Sequence, residues 1–399
     1  MTRTEPVGWI RLGTIAAAAA ILVSACGSNN TPTGSTSKPP PQAGTAPQTS
    51  IGAGEGQLNL IAWAGYVDKS WADAFTAQTG CKINEKDDGS SDQMVTDMAG
   101  GGGGNWDMVS ASGDADLRLI YGGDVKPMNT ALVPDWVNFQ DKFKAPPFNT
   151  INGIHYGISL QWGPNTLLYN TQKFPVAPTS WSVIYDQQYR GLITVPDNPI
   201  QIADAALYLS KTQPSLGITD PYELTQPQFD ATVNLLKQQR PLIKAYWAGN
   251  ADEETAFTNG DVLVGAAWPL MTNDLKKAHV AVADTIPSEG ATGWADTWML
   301  ATKAPHPNCA YMWTKYVSTP HVQALQALSF GETPVNTKAC AEMDALGGGG
   351  TCTAFHADAP GSYFDSIKFW KTPIADCGNG SLTCKTYAEW QAAWTTIKG

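Results

Sequence analysis

Hydrophobic and polar positions along residues 58–399 alternate in short blocks, each typical of a strand or a helix. Short runs rich in apolar and β-branched residues predict strands, and these runs span 58–63, 82–85, 106–111, 191–195, 262–268 and 297–301. Segments in which apolar residues recur three or four positions apart predict helices, and these segments span 69–78, 92–98, 116–121 and 203–211. Because strands and helices follow each other at this spacing, the pattern predicts an α/β fold with mainly parallel sheets.

The first 25 residues carry a different pattern. Arg3 and Arg11 precede an apolar run over 15–23, and small residues follow that run. The run is too short to span a bilayer, so it predicts a secretory signal peptide over residues 1–25 rather than a transmembrane helix. The sequence therefore indicates an exported protein.

The residues Val23, Ser24, Ala25 and Cys26 resemble a bacterial lipobox. The resemblance implies cleavage before Cys26 and acylation of its thiol. The mature protein would then be lipid-anchored at the outer face of the cytoplasmic membrane, in the periplasm or cell envelope. An ordinary signal peptide with a chance cysteine is the alternative.

Residues 26–57 are predicted to form the lipid anchor and a disordered linker. Of the 31 residues from Gly27 to Gln57, 20 are Gly, Pro, Ser or Thr. Such a segment buries too little apolar surface to fold. As a flexible coil it spans roughly 30 Å, which is enough to hold a folded body clear of a membrane.

The chain is acidic, with a formal net charge of −11. Residues 1–25 carry two arginines and one glutamate, so their removal leaves the mature chain near −12. Nucleic acids and anionic lipid surfaces bind basic patches, so this charge argues against both as partners. It suits a cationic or neutral ligand, although acidity could also serve only to keep an exported protein soluble.

Seven cysteines are present, and six remain once Cys26 is acylated. An even number in an exported chain suggests disulfides, for which fifteen connectivities are possible. The simplest arrangement closes two local loops and leaves two distant cysteines: Cys340 with Cys352, Cys377 with Cys384, and Cys81 with Cys309. Because no Cys-x-x-Cys occurs and the five histidines are scattered, we expect no zinc site and no cofactor.

Seven motifs from about 58 to 336 fall in the order and spacing of the periplasmic spermidine/putrescine-binding proteins, which this chain resembles. They are AWAGYV…FTAQTG, WDMVSAS, YGISLQWGPNTLLYN, TSW…YRGLITVPD, NGDVLVGAAWPLM, EGATGWADTWMLAT and GETPVN. The resemblance implies a two-lobed periplasmic-binding-protein fold (type II-like) with a ligand cleft between the lobes. Lobe 1 would comprise 58–161 plus 296–340, and lobe 2 would comprise 162–295 plus 341–399.

The resemblance also implies which residues bind the ligand. Trp63, Tyr66, Trp268, Trp294 and Asp296 match positions at which the family boxes an aliphatic amine between rings and binds its nitrogen with a carboxylate. Cation–π attraction contributes about 0.5–2 kcal/mol per ring, and the carboxylate adds a charge-assisted hydrogen bond. The alternative is that these large aromatic residues fill a core, as most of the 15 tryptophans must.

The sequence departs from the family at the far end of the expected ligand. Polyamine binders place acidic residues where this chain has Asn198 and Gln201, and amides cannot neutralise an ammonium group. Asp114 and Glu332 replace family aromatics and could compensate, or they could cap a helix or face solvent. A shorter amine, an amino acid and a polar neutral solute therefore stay open as ligands.

These observations predict a lipid-anchored substrate-binding protein of an ABC importer, which captures a small amine-containing solute. We expect a monomer without enzymatic activity that closes around its ligand and delivers it to a membrane permease and its ATPase. Its contact with the membrane would be through the lipid anchor only. The alternatives are a binder of a neutral solute, amino acid or sugar with the same fold, and an exported hydrolase. No Gly-x-Ser-x-Gly elbow supports a serine hydrolase, but paired carboxylates for glycoside hydrolysis stay open.

Overall fold

The structure is a computed structural model that describes residues 46–399. The predicted signal peptide over 1–25, the predicted acylation site Cys26 and the first part of the linker lie outside the described residues. Within the described range, no helix combines the length and the apolar character that crossing a membrane would require.

The described residues form an alternating series of strands and helices. The strands are β1 (Gln57–Ala62), β2 (Lys82–Asp87), β3 (Met108–Ser112), β4 (Thr150–Ile151), β5 (Ile154–His155), β6 (Gly157–Pro164), β7 (Thr166–Asn170), β8 (Ile193–Pro196), β9 (Ile243–Trp247), β10 (Val264–Ala267), β11 (Val282–Thr285), β12 (Ala291–Leu300), β13 (Thr333–Pro334) and β14 (Ile367–Phe369). The helices are α1 (Lys69–Thr79), α2 (Ser91–Asp97), α3 (Gly113–Gly122), α4 (Asp141–Lys144), α5 (Gln201–Thr212), α6 (Gln226–Gln239), α7 (Asn250–Thr258), α8 (Pro269–Lys277), α9 (Pro307–Val317), α10 (Pro320–Phe330), α11 (Ala339–Gly347), α12 (Thr351–Ala354), α13 (Gly361–Asp365) and α14 (Tyr387–Lys398). Each element that the hydrophobic pattern predicted is present, although β12 begins well before residue 297.

The strands form two main sheets of mixed direction. The larger sheet has the order β13-β6-β12-β3-β1-β2 with β14 paired to β12, and the smaller sheet has the order β11-β7-β10-β8-β9. The prediction of mainly parallel sheets is wrong, because β12 runs antiparallel to β3 and β6, and β7 runs antiparallel to β10 and β11. The helix-connected strands do pair in parallel, but β6–β7 and β11–β12 carry the chain from one sheet to the other and enter in the opposite direction.

Three segments of the predicted second lobe pair in the larger sheet: 162–164, 291–295 and 367–369. The predicted boundary at residue 296 falls inside β12, whose residues from Ala291 pair with β14. β14 itself lies within 341–399. Every residue of β12 is buried. The lobe boundaries stay a prediction.

The larger sheet packs its core against α1 and α9. α1 begins after Asp68, whose side chain caps it, and ends at Gly80, whose φ of 74° is in the left-handed region that favours glycine. Trp71 and Phe75 lie one turn apart on its buried face. The Phe75 ring meets Trp313 of α9 edge to face at 5.1 Å between centroids. A separate set of buried residues packs on the smaller sheet.

The last part of the predicted linker is held by the folded body. Gln48 Nε2 donates a hydrogen bond to Asn308 Oδ1 (2.8 Å), and the Glu55 carboxylate accepts from the Asn308 and Cys309 amides (3.0 and 2.9 Å). Glu55 thus satisfies two of the free amides at the start of α9, where a negative charge is favourable. The prediction of disorder over 26–57 is therefore wrong for its last ten residues or so.

The structure pairs all six cysteines of the described range. The pairs are Cys81–Cys309, Cys340–Cys352 and Cys377–Cys384, with Cα–Cα distances of 5.9, 4.9 and 5.3 Å. The first pair joins the start of β2 to α9 across 228 positions of sequence. The other two close short loops near the C-terminus.

Candidate functional site

Six strands direct their carboxyl ends at one cleft with a volume of about 450 Å³. β1, β2 and β3 belong to the larger sheet, and β8, β9 and β10 belong to the smaller sheet. Each contributes the residue that ends or follows it: Trp63, Asp88, Ser112, Asp197, Trp247 and Trp268. Ligands of α/β proteins bind at the carboxyl ends of parallel strands, so this cleft is the candidate binding site.

Asp296 lies at the centre of the acidic side of the cleft. β12 pairs with β3 so that Asp296 is opposite Ser112, and the hydroxyl groups of Ser112 and Tyr66 both donate hydrogen bonds to its carboxylate. Burial raises the pKa of Asp296 to about 7, against the opposing effect of these two hydrogen bonds. The carboxyl group is therefore poised between its neutral and charged forms near neutral pH.

Two further carboxyl groups line the same side. Glu332 precedes β13, and burial together with the nearby charge of Asp296 raises its pKa well above the usual range. Its Oε2 accepts no hydrogen bond from any described residue. Asp88 pairs with Lys86 at 2.8 Å through Oδ1, and burial raises its pKa.

The acidic side lacks a full countercharge. Among the described residues that line the cleft there is no lysine, arginine or histidine. A buried carboxylate is costly without a partner. A cationic group in the cleft would supply that partner.

Five tryptophans also line the cleft: Trp63, Trp247, Trp268, Trp294 and Trp370. Trp247 meets Trp268 at 5.0 Å between centroids with an interplanar angle of 88°, and Trp268 meets Trp294 at 6.3 Å and 69°. The Trp268 indole Nε1 donates to Asn165 Oδ1 (3.1 Å), which fixes the ring's orientation. Trp370, which follows β14, also lines the cleft. Such a wall stacks on apolar chains and attracts cations.

The cleft brings together most of the side chains that the sequence predicted. Its lining includes Trp63, Tyr66, Asn198, Trp268, Trp294, Asp296 and Glu332.

Two predicted ligand contacts lie outside the lining. Asp114, in the first turn of α3, is buried and accepts a hydrogen bond from Ser91 Oγ (2.8 Å), and burial raises its pKa to about 6. Gln201 begins α5 and donates to Asp204. Each of these side chains is engaged by a neighbouring residue, and its contact with a ligand stays a prediction.

Several lining residues are absent from the sequence-based set. Asp88 and Asp197 follow strands that the hydrophobic pattern predicted, so strand ends alone could have identified them. Trp247 ends β9, which the pattern did not predict. Ser91 begins α2, and Trp370 lies in the C-terminal segment beyond the quoted motifs. Nothing in the local sequence signals that Trp370 reaches the cleft.

Comparisons with known proteins agree with this geometry. The sequence profile described as "Bacterial extracellular solute-binding protein" matches residues 70–346. The spermidine/putrescine-binding periplasmic protein of Escherichia coli (strain K12) is 23% identical over 283 residues, which cover 71% of this chain and 78% of that protein.

Two solved structures are similar over most of the chain. The spermidine/putrescine ABC transporter substrate-binding protein of Streptococcus pneumoniae aligns with a TM-score of 0.67 at 18% identity, covering 86% of this chain and 99% of that one. A lipoprotein of Treponema pallidum aligns with a TM-score of 0.68 at 15% identity and the same coverage of both chains. These similarities confirm the predicted two-lobed, type II-like fold, and the relatives confirm the predicted resemblance.

Proposed function

Because the chain belongs to the family of bacterial extracellular solute-binding proteins, we propose that it is the lipid-anchored binding component of an ABC importer and captures a small solute that carries an amino group. The family and the relatives are binding components of transport systems and not enzymes. The hydrolase alternative is therefore set aside.

The observation that supports an amine ligand is the position of Asp296. Its carboxyl group is buried in the cleft wall, it is oriented by Tyr66 and Ser112, and no basic side chain lines the cleft within the described residues. An ammonium group would supply the missing charge through a short, charge-assisted hydrogen bond. The tryptophan wall would cover the ligand's carbon chain and exclude water, which strengthens that bond.

Capture would proceed by closure of the two lobes. β6–β7 and β11–β12 carry the chain between the sheets, so bending near these connections changes the separation of the walls. A ligand that contacts both walls stabilises the closed state by the difference between its affinities for the two states. The closed form would present both lobe surfaces to the permease.

A thermal-shift screen with amines, amino acids, opines and sugars tests this function. A ligand that binds only the folded state raises the stability by about 2.7 kcal/mol at one hundred times its Kd. We expect amines to raise the Tm. A shift with sugars or other uncharged solutes alone would contradict the proposal.

Affinity for an amine should fall as the pH falls below about 7. Aliphatic ammonium groups, with a pKa near 10, stay charged throughout this range, whereas the Asp296 carboxyl, with a pKa of about 7 in the free protein, becomes neutral. Binding must then expel a proton, so the Kd should rise about tenfold per pH unit below 7 and level off above it. Calorimetry between pH 5.5 and 8.5 measures this slope.

Asp296→Asn is the matched control for the pH series, because it cannot titrate and should flatten the slope. A wild-type Kd that does not change over the same range would show that no ionised carboxyl of the cleft is needed.

Acylation at Cys26 gives the second experimental test of the function. Cys26→Ser removes the thiol that would be acylated, so the variant should leave the membrane fraction. Fractionation followed by a carbonate wash measures the distribution, with the wild type as the control. A variant that stays with the washed membrane would refute the lipid anchor but not the binding function.

A further inference from the structure

The charged groups of the cleft are distributed unequally between its two walls. Asp88, Asp296 and Glu332 belong to or adjoin strands of the larger sheet. On the side of the smaller sheet, the single carboxyl among the described lining residues is Asp197, which follows β8. The two walls therefore differ in the number of carboxyl groups that can contact a ligand.

Asp197 is already neutralised by the C-terminal helix α14. Lys398 Nζ lies 2.6 and 2.8 Å from the two carboxylate oxygens, and the Trp394 indole Nε1 donates to Oδ1 at 2.9 Å. A carboxylate that shares a lysine and an indole donor has little charge left for a second cation. Because α14 neutralises Asp197, this carboxylate adds little net negative charge to the cleft.

The rest of that wall is neutral. Its polar side chains are the amides of Asn198 and Asn250, and Asn198 Oδ1 already accepts from the Ile200 amide (2.9 Å). Trp247 and Trp268 supply the apolar surface. An ammonium group placed there would gain cation–π attraction from a tryptophan ring but no free carboxylate, and this attraction is too weak to offset the loss of its hydration.

We propose that the cleft binds an organic cation with a single ammonium group and a neutral, largely apolar remainder, and that it discriminates against diamines. The ammonium group lies at Asp296 and Glu332, since Asp88 is already paired with Lys86 (2.8 Å). The remainder of the ligand lies against the tryptophans of the smaller sheet. This inference rests on the proposed capture of an amine and narrows its class.

Three probes with the same five-carbon chain test the inference by calorimetry at pH 8: pentylamine, 1,5-diaminopentane and 1-pentanol. We expect pentylamine to bind at least about tenfold more tightly than the diamine, since the second ammonium group is desolvated without a partner. A diamine that binds as tightly or more tightly would overturn this inference and leave amine capture standing. Pentanol binding as tightly as pentylamine, or no binding by either amine, would overturn both.

Lys398→Met tests the role of α14 directly, because it frees the Asp197 carboxylate and does not alter the cleft's acidic side. Affinity for 1,5-diaminopentane should rise about tenfold, while affinity for pentylamine should stay within about twofold. Lys385→Met is the matched control. Lys385 lies two residues before α14 and pairs with Glu389 of that helix (2.9 Å), and its loss should change neither affinity. An unchanged ratio of the two affinities in Lys398→Met would overturn the proposal that α14, by neutralising Asp197, makes the cleft discriminate against diamines.

Discussion

Replacing Asp296 with asparagine weakens the binding of an amine about 30-fold to several thousand-fold. The change keeps the size of the side chain and one hydrogen-bond acceptor, but it removes the charge that Tyr66 and Ser112 orient. A buried cation without its partner costs about 2–5 kcal/mol, and each 1.4 kcal/mol is about tenfold in Kd. Calorimetry at pH 8 with the best amine from the screen measures the ratio.

Trp294→Ala separates charge recognition from ring contact. Trp294 lines the cleft beside Trp268, and its loss should weaken both amines and uncharged solutes, because stacking does not need a charge. A large effect of Trp294→Ala with a loss of only about 0.5–1.5 kcal/mol for Asp296→Asn, the value of one ordinary hydrogen bond, would defeat amine recognition. No effect from either variant would mean that the ligand binds elsewhere.

Removing the Cys81–Cys309 disulfide lowers the free energy of unfolding by about 5.4 kcal/mol in the chain-entropy account. The bond closes a loop of 228 positions, and in the chain-entropy account the stabilisation grows with the logarithm of the loop length. Both cysteines are fully buried, so alanine is the suitable replacement at each. Urea denaturation of Cys81→Ala with Cys309→Ala against the wild type measures the difference.

The Cys377–Cys384 bond is the matched control for loop length. Its loop has a sequence separation of 7, for which the same relation gives about 2.5 kcal/mol. The double alanine variant of that pair should therefore lose about half as much stability. An equal or greater loss than that of the long-range pair would contradict the loop-length account.

Much of the fold could be predicted from the spacing of apolar residues. β1, β2, β3, β8 and β10 follow that pattern because each is a short run joined to a helix. The crossing strands β6, β7 and β11 are absent from the predicted set. Along β6 and β7 the chain is buried on both sides and includes polar residues such as Gln161, so periodicity gives no clear signal there.

The candidate site could be predicted where a residue ends a strand. Trp63 and Trp268 occupy such positions, and they line the cleft as expected. Asp114 and Gln201 lie in the first turns of α3 and α5, the helices that follow β3 and β8. The direction of such a side chain depends on its neighbours, such as Ser91 for Asp114, and the sequence alone does not show where those neighbours lie. For the same reason, the Lys398–Asp197 pair across 201 positions could not be foreseen.

The most direct test of the account is a crystal structure of the protein with the tightest-binding amine found by the screen. The account predicts the ligand's nitrogen in the cleft at about 2.7–2.9 Å from an Asp296 carboxylate oxygen, with its carbon chain against Trp247 and Trp268. A ligand bound outside the cleft, or one whose nitrogen faces no carboxylate, would contradict it.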